Sequence, residues 1–182
     1  MKHTVKKGLA MLIALAMLIS CAACAAQSGT QDDAAQKTSA DVIVVGAGLS
    51  GLVAAYQSAQ LGAKVILFEQ SGAVGGSSRY AGGYVSGANT KLQKDAGVKD
   101  SPELAYQDMI NIGGAGNFKP ELAWMHVQRA GELVDWIVDH LGIELSEPGY
   151  GAYTPTNVPR VYQTKTGGIE FANVLKEKVN EC

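Results

Sequence analysis

Residues 41–51 read Asp-Val-Ile-Val-Val-Gly-Ala-Gly-Leu-Ser-Gly, which joins a β-branched run directly to a glycine-rich turn. The run 42–45 is continuous rather than alternating, and this pattern predicts a strand buried on both faces of a parallel sheet. Gly46 permits a tight turn, Gly48 lets backbone approach a pyrophosphate, and Gly51 lets the following helix pack closely on the strand. Because a helix N-terminus also presents unpaired N–H groups, we expect this turn to bind phosphate.

A second strand and an acidic residue complete the unit. The segment 64–68 predicts the strand, and Glu69 follows at its carboxyl end, 18 residues after Gly51. A carboxylate at this place accepts hydrogen bonds from both hydroxyls of a ribose and repels a 2′-phosphate. The order of strand, turn, helix and strand therefore predicts a dinucleotide site. Its candidate contacts are Gly46, Ala47, Gly48, Leu49, Ser50, Gly51, Glu69 and Gln70.

The next glycine-rich segment distinguishes between FAD and NAD as the cofactor. The spacing of the first turn alone fits either FAD or NAD, but a nicotinamide domain is expected to enter a helix after the ribose acid. This chain instead continues with Gly-Gly-Ser-Ser-Arg-Tyr-Ala-Gly-Gly over 75–83, which suits an extended cofactor better than a helix does. The alternative interpretation is a flexible surface loop. FAD is favoured, and the added candidate contacts are Gly75, Gly76, Ser77, Ser78, Ala81, Gly82 and Gly83.

With these motifs the chain resembles the flavoprotein subunits of fumarate reductases of the flavocytochrome c and urocanate reductase types. The resemblance runs from Asp41 to about Val179 and includes the later Asp-Ser-Pro-Glu at 100–103 and Thr-Gly-Gly at 166–168. It implies that Glu69 binds the adenosine ribose, that Gly75–Ser78 lie on the pyrophosphate side and that Ala81–Gly83 lie near flavin N5. Related succinate dehydrogenases attach FAD through a histidine in this loop. Since no histidine occurs between positions 4 and 125, we expect non-covalent FAD.

The N-terminus predicts export. Three lysines precede an apolar stretch over 8–19, as in a secretory signal, and Leu-Ile-Ser-Cys at 18–21 resembles a bacterial lipobox. We therefore expect a lipoprotein signal peptide over 1–20, lipidation of Cys21, a flexible tether over 21–40 and anchoring at the outer face of the cell membrane. An uncleaved anchor, or an ordinary signal cleaved near Ala23 or Ala26, remains open. A net charge of −2 without basic runs argues against nucleic acid.

The remaining sequence predicts helices over 101–112, 120–141 and 168–180, with an irregular stretch over 147–162. Trp136 is expected to pack against neighbours, and neither His126 nor His140 is expected to be catalytic. Only two convincing strands are present. We therefore expect an α/β chain with the N-terminal part of a Rossmann-like FAD-binding domain over 41–182, incomplete in its sheet and capping domain and inactive alone.

The resemblance implies an FAD-dependent oxidoreductase. The intact protein is expected to reduce fumarate or a related unsaturated carboxylate, with an unidentified membrane or extracellular electron donor. A 3-ketosteroid dehydrogenase, an aspartate oxidase-like enzyme and a non-catalytic exported FAD-binding lipoprotein are the alternatives. No HExxH or GxSxG motif occurs, so we expect no metal site and leave the catalytic residues unassigned, including Arg79, Arg129 and Arg160.

Overall fold

A computed structural model describes residues 39–114, 116–117, 119–151 and 156–182. The expected signal peptide, Cys21 and nearly all of the expected tether lie outside these residues. Within the described part of the chain, no helix is long and apolar enough to cross a membrane.

The first unit is a strand, a helix and a parallel strand, as the sequence predicts. Strand β1 (Val42–Val45) is followed by helix α1 (Leu49–Gln60) and strand β2 (Val65–Phe68). The two strands pair in parallel, from Val42 opposite Val65 to Val45 opposite Phe68. Helix α1 ends where Gly62 adopts a positive φ of 87°, the left-handed conformation that terminates helices.

One face of this small sheet is exposed. The side chains of Ile43, Val45 and Phe68 are 63%, 84% and 56% exposed, and burial alternates along β1. The prediction that β1 is buried on both faces is therefore wrong for this chain. Helix α1 packs on the other face of the sheet. Ile and Val are β-branched and Phe is aromatic, so these side chains reflect strand propensity without burial here.

A second sheet was not predicted. Strand β3 (Tyr84–Ser86) pairs antiparallel with strand β4 (Val161–Gln163), with Val85 opposite Tyr162. The expectation of only two strands is therefore wrong. Each of these strands has three residues, too few to show an alternating pattern, and β4 begins within the stretch interpreted as irregular.

Two of the helices begin at residues whose side chains cap them. Helix α2 (Lys91–Asp95), missed in the sequence, is started by a capping box between Thr90 and Gln93. Helix α3 (Pro102–Gly113) is capped by Ser101, whose Oγ accepts from the Leu104 N–H at 3.3 Å. The other two helices were predicted: α4 (Pro120–Trp136), which continues as a π-helical turn (Ile137–Leu141), and α5 (Gly168–Asn180).

The main core lies between α1, the π-helical turn and α5. Its largest buried side chains are Leu52, Tyr56, Ile137, Leu141, Ile143, Phe171 and Leu175. Trp136 packs at the edge of this core, with its ring 6.4 Å from that of Tyr56 and stacked 6.0 Å from that of His140. The expected packing role of Trp136 is therefore confirmed.

Candidate functional site

The turn between β1 and α1 has the geometry that its glycines predict. Gly46 has a φ of 95°, and its N–H donates to the carbonyl of Phe68 at 2.7 Å. A Cβ at Gly51 would overlap the carbonyl oxygen of Gly46. Only glycine therefore allows α1 to approach the turn this closely, and both structural roles are confirmed.

Gly48 is open where Gly51 is crowded. It precedes α1 with extended backbone, φ −65° and ψ 174°, and a Cβ built on it would meet nothing within 4 Å. No side chain caps the helix. The first hydrogen bond of the helix is donated by the Leu52 N–H to Gly48 O at 3.0 Å. The N–H groups of Leu49, Ser50 and Gly51 therefore have no intrahelical acceptor. This end of α1 has both the space and the donors that a phosphate needs.

Glu69 lies at the carboxyl end of β2 and contacts the turn. Its Oε2 accepts from the Ala47 N–H at 2.6 Å, and its Oε1 accepts from the Ser71 N–H at 2.9 Å. The hydrogen bonds from Ser71 and Ala47 lower the pKa of Glu69, so the carboxylate is ionised at neutral pH. Each oxygen keeps a second lone pair for a ligand hydroxyl. Glu69 and Gln70 line an open cleft of about 470 Å³ with Val45, Gly46 and Phe68.

The structure brings Gly75 and Gly76 to the same turn. The Gly75 N–H donates to Ala47 O at 2.7 Å, and Gly75 forms a parallel bridge with Gly48. A Cβ at Gly76 would lie 3.4 Å from the Cα of Gly48, and one at Gly75 would lie 2.6 Å from the Cβ of Ala172. The two glycine segments predicted separately are therefore neighbours, with no side chain between them.

Ser77 and Ser78 lie in a short 3₁₀-helix, Gly76–Tyr80, rather than in extended chain. The segment Ala81–Gly83 follows it and is held by backbone. Ala81 O accepts from the Gly168 N–H at 2.8 Å, and Gly83 O accepts from the Thr164 N–H at 3.1 Å. These contacts hold the segment at both ends, which favours a site segment over the alternative of a flexible surface loop.

A buried ion network was missed in the sequence. Arg160, 3% exposed, donates through Nε and Nη2 to the two carboxylate oxygens of Asp100, both at 2.8 Å, and through Nη1 to Asp108 at 2.6 Å. Burial opposes its charge, but the hydrogen bonds and charges of Asp100 and Asp108 raise its pKa overall. Residues so distant in sequence carry no local signal of pairing.

In the described segments no group of three His, Cys, Asp or Glu side chains could hold a metal ion.

Residues 41–178 match the family described as FAD binding domain. The chain belongs to this family. FAD is therefore its cofactor, and NAD, which the first turn left open, is set aside. The residues present fit this group: an uncapped helix N-terminus, an open Gly48 and an ionised Glu69 surround one turn.

Similar proteins of named activity confirm the resemblance to fumarate reductases. The chain is 39% identical over 135 residues to an NADH:fumarate oxidoreductase of Klebsiella pneumoniae, covering 74% of this chain and 14% of the relative. It is 37% identical to a fumarate reductase (cytochrome) of Shewanella frigidimarina, covering 60% and 19%. A KsdD-like steroid dehydrogenase of Mycolicibacterium smegmatis is 41% identical, covering 78% and 28%. The chain thus spans less than a third of the length of these relatives.

Two solved structures share the fold at 28% sequence identity. An open conformation of a flavocytochrome c3 fumarate reductase superposes with a TM-score of 0.67, covering 78% of this chain and 25% of that one. A 3-ketosteroid-Δ4-(5α)-dehydrogenase from Rhodococcus jostii RHA1 superposes with a TM-score of 0.65, covering 81% and 38%. The described part of the chain therefore has the fold of an FAD-binding domain of this group.

Proposed function

We propose that this chain supplies the first part of the FAD site of an FAD-dependent oxidoreductase, which in full length reduces fumarate or a related unsaturated carboxylate. The observation that carries the cofactor site is the junction of Gly48, Glu69 and Gly75 around one uncapped helix end. The reaction is supported by the names of the relatives from Klebsiella pneumoniae and Shewanella frigidimarina.

The described residues have separate roles in this proposal. The N–H groups after Gly48 bind the pyrophosphate, and Glu69 accepts from the adenosine ribose. Gly75–Ser78 lie along the pyrophosphate side. Ala81–Gly83, here named the flavin segment, lie against the isoalloxazine ring. FAD when bound supplies hydride transfer; these residues bind and orient it.

The cofactor is bound without a covalent link. No histidine lies between positions 4 and 125, so the glycine-rich segments offer no histidine for attachment. Purified full-length protein should be yellow, and acid precipitation should release the flavin into the supernatant. Flavin that stays with the precipitated protein would contradict this part of the proposal, and colourless protein that binds no FAD would contradict the site itself.

The sharpest test of the site is Gly48→Leu in the full-length protein. A Cβ built at Gly48 meets no protein atom within 4 Å, so the fold should persist, whereas the pyrophosphate would meet the leucine. We expect a normal circular dichroism spectrum and loss of bound flavin. Gly116→Leu is the matched control, because Gly116 is equally open and lies far along the chain. Equal flavin retention by the two variants would contradict the phosphate site.

A 3-ketosteroid dehydrogenase is the second candidate. It is favoured by the steroid dehydrogenase relative at 41% identity and by the similar fold of the Rhodococcus jostii enzyme. The two candidates separate in one assay of the full-length protein: fumarate-dependent oxidation of a reduced viologen, or 3-ketosteroid-dependent reduction of an artificial dye acceptor. Turnover of the steroid without turnover of fumarate would replace the first candidate by the second.

We also propose that Cys21 carries lipid and holds the exported protein at the outer face of the cell membrane, where a membrane or extracellular donor supplies electrons. The basis is the lysine-rich, apolar leader that ends in Leu-Ile-Ser-Cys at 18–21. A fatty acid analogue fed to cells should label the wild type and Cys24→Ala, but not Cys21→Ala. Labelling of Cys21→Ala at the wild-type level would reject lipidation at this residue.

A further inference from the structure

We propose that Arg160 is a positioning residue for the flavin segment: it fixes the strand that holds Ala81–Gly83 and thereby sets the fit of the bound flavin. This inference rests on the proposed function for the identity of the ligand. The coupling between Arg160 and the segment rests on contacts within the chain.

The first step is the immobilisation of Arg160. Its guanidinium is bound on three of its N–H groups by Asp100 and Asp108, and both carboxylates have further donors. Gln93 Nε2 donates to Asp100 at 2.8 Å, and the Asn157 N–H donates to Asp108 at 3.0 Å. A buried, bidentate pair of this kind tolerates little change in geometry, because displacement leaves a charge buried without its partner.

The second step runs from Arg160 into β4. Arg160 directly precedes this strand, and its carbonyl accepts from the Gly87 N–H at 3.1 Å, next to the end of β3. Gln93 adds a second tie, since its Nε2 also donates to Pro159 O at 2.8 Å. The register of β3 on β4 is therefore fixed at the end where the ion network lies.

The third step runs from the other end of β4 to the flavin segment. Gln163 Nε2 donates to Gly82 O at 3.1 Å, and the Thr164 N–H donates to Gly83 O at 3.1 Å. Gly83 is closely packed here, because a Cβ on it would overlap Thr164 Oγ1 and would lie 2.7 Å from Gly167. A shift of β4 is therefore transmitted to Gly82 and Gly83 instead of being absorbed.

The test uses Arg160→Lys in the full-length protein. Lysine keeps the charge but cannot form the bidentate pair, so β4 should loosen while the rest of the fold persists. Hydrogen exchange of the Thr164 and Gly168 amides, which donate to the flavin segment, should quicken about tenfold or more relative to amides of α1. The FAD dissociation constant should rise about two- to tenfold, equivalent to one lost hydrogen bond, with a shifted flavin absorbance spectrum.

Two further variants keep the result decisive. Val127→Ala, at a buried position on α4 outside the network, should lower the melting temperature without a selective change at these amides or in the flavin spectrum. Asp108→Asn keeps an oxygen that can accept from Arg160, so its effect on the amides and the flavin should lie between those of the wild type and Arg160→Lys. It replaces Arg160→Lys in the test if that variant does not fold.

The proposal is overturned if the Thr164 and Gly168 amides quicken no more than those of α1, if Val127→Ala gives the same pattern, or if the amides quicken while flavin affinity and spectrum stay at wild-type values. If wild-type protein binds no FAD, the proposed function fails. The exchange measurement on the same protein still decides whether Arg160 fixes the segment.

Discussion

The sheet of β1 and β2 and the sheet of β3 and β4 are stabilised in opposite ways. The first is apolar, packs on α1 by one face and exposes Ile43, Val45 and Phe68 on the other. The second is flanked by Arg160, whose charge is buried among hydrogen-bonded carboxylates. Apolar burial is non-directional and scales with the area buried, whereas a buried ion network depends on the geometry of its hydrogen bonds.

This difference also separates the two parts of the proposed FAD site. The turn at Gly46–Gly51 takes its shape from local backbone, since its constraints come from Gly46, Gly51 and Glu69 within one strand–helix–strand unit. The flavin segment takes its shape from distant residues through β4. We therefore expect substitutions to affect phosphate binding locally and flavin orientation at long range.

The largest effect expected is that of Arg160→Met. It leaves the Asp100 and Asp108 carboxylates buried without their cation, which costs about 3–5 kcal/mol of unfolding free energy. Urea denaturation of the full-length protein measures it. Arg129→Met, at an exposed site on α4, is the matched control and should change stability by less than about 0.5 kcal/mol. Equal losses in the two variants would remove the distinction between the sheets.

Gly51→Ala should have the next largest effect. The added methyl overlaps the Gly46 carbonyl, so α1 must move away from the turn, at about 1–3 kcal/mol. Gly48→Ala adds the same methyl where nothing lies within 4 Å and should be nearly neutral. Thermal melts of the two proteins side by side measure the difference. Comparable melting temperatures would show that the turn is not locally constrained.

Glu69→Gln should have the smallest effect, and it appears in acid. The folded-state pKa of Glu69 lies below its ordinary value of 4.5, so the carboxylate stabilises the fold above about pH 4.5. This contribution is lost as pH falls through the lowered pKa. Stability measured between pH 6 and 3 should therefore fall less steeply in Glu69→Gln than in the wild type. The same pH dependence of stability in both proteins would contradict the hydrogen bonds of Glu69 with Ala47 and Ser71.

The same contrast explains what could be predicted from the sequence. The unit of β1, α1 and β2, the turn at Gly46 and the beginning of α3 at Ser101 follow from residues within a few positions of each other. Their signals are local: β-branched runs, glycine at positive φ and a capping serine. The family of the chain was also accessible from these motifs.

The rest depends on contacts that the sequence does not encode locally. Strands β3 and β4 become strands by pairing with each other, and Arg160 becomes part of a network only when Asp100 and Asp108 surround it. The exposed face of β1 was mispredicted for the same reason, since a hydrophobic run shows that a face is apolar and not what covers it. The contacts of individual site residues with FAD stay predictions.

The span of the ion network has a consequence for the order of folding. Glu69 and Ala47 are 22 residues apart, whereas Arg160 and Asp100 are 60 apart. Closing the longer loop costs about 1 kcal/mol more chain entropy. At ordinary rates of synthesis, Asp100 leaves the ribosome roughly 3–12 s before Arg160. We therefore expect the turn at Gly46–Gly51 to form early on the nascent chain, while the two aspartates stay hydrated until Arg160 is synthesised.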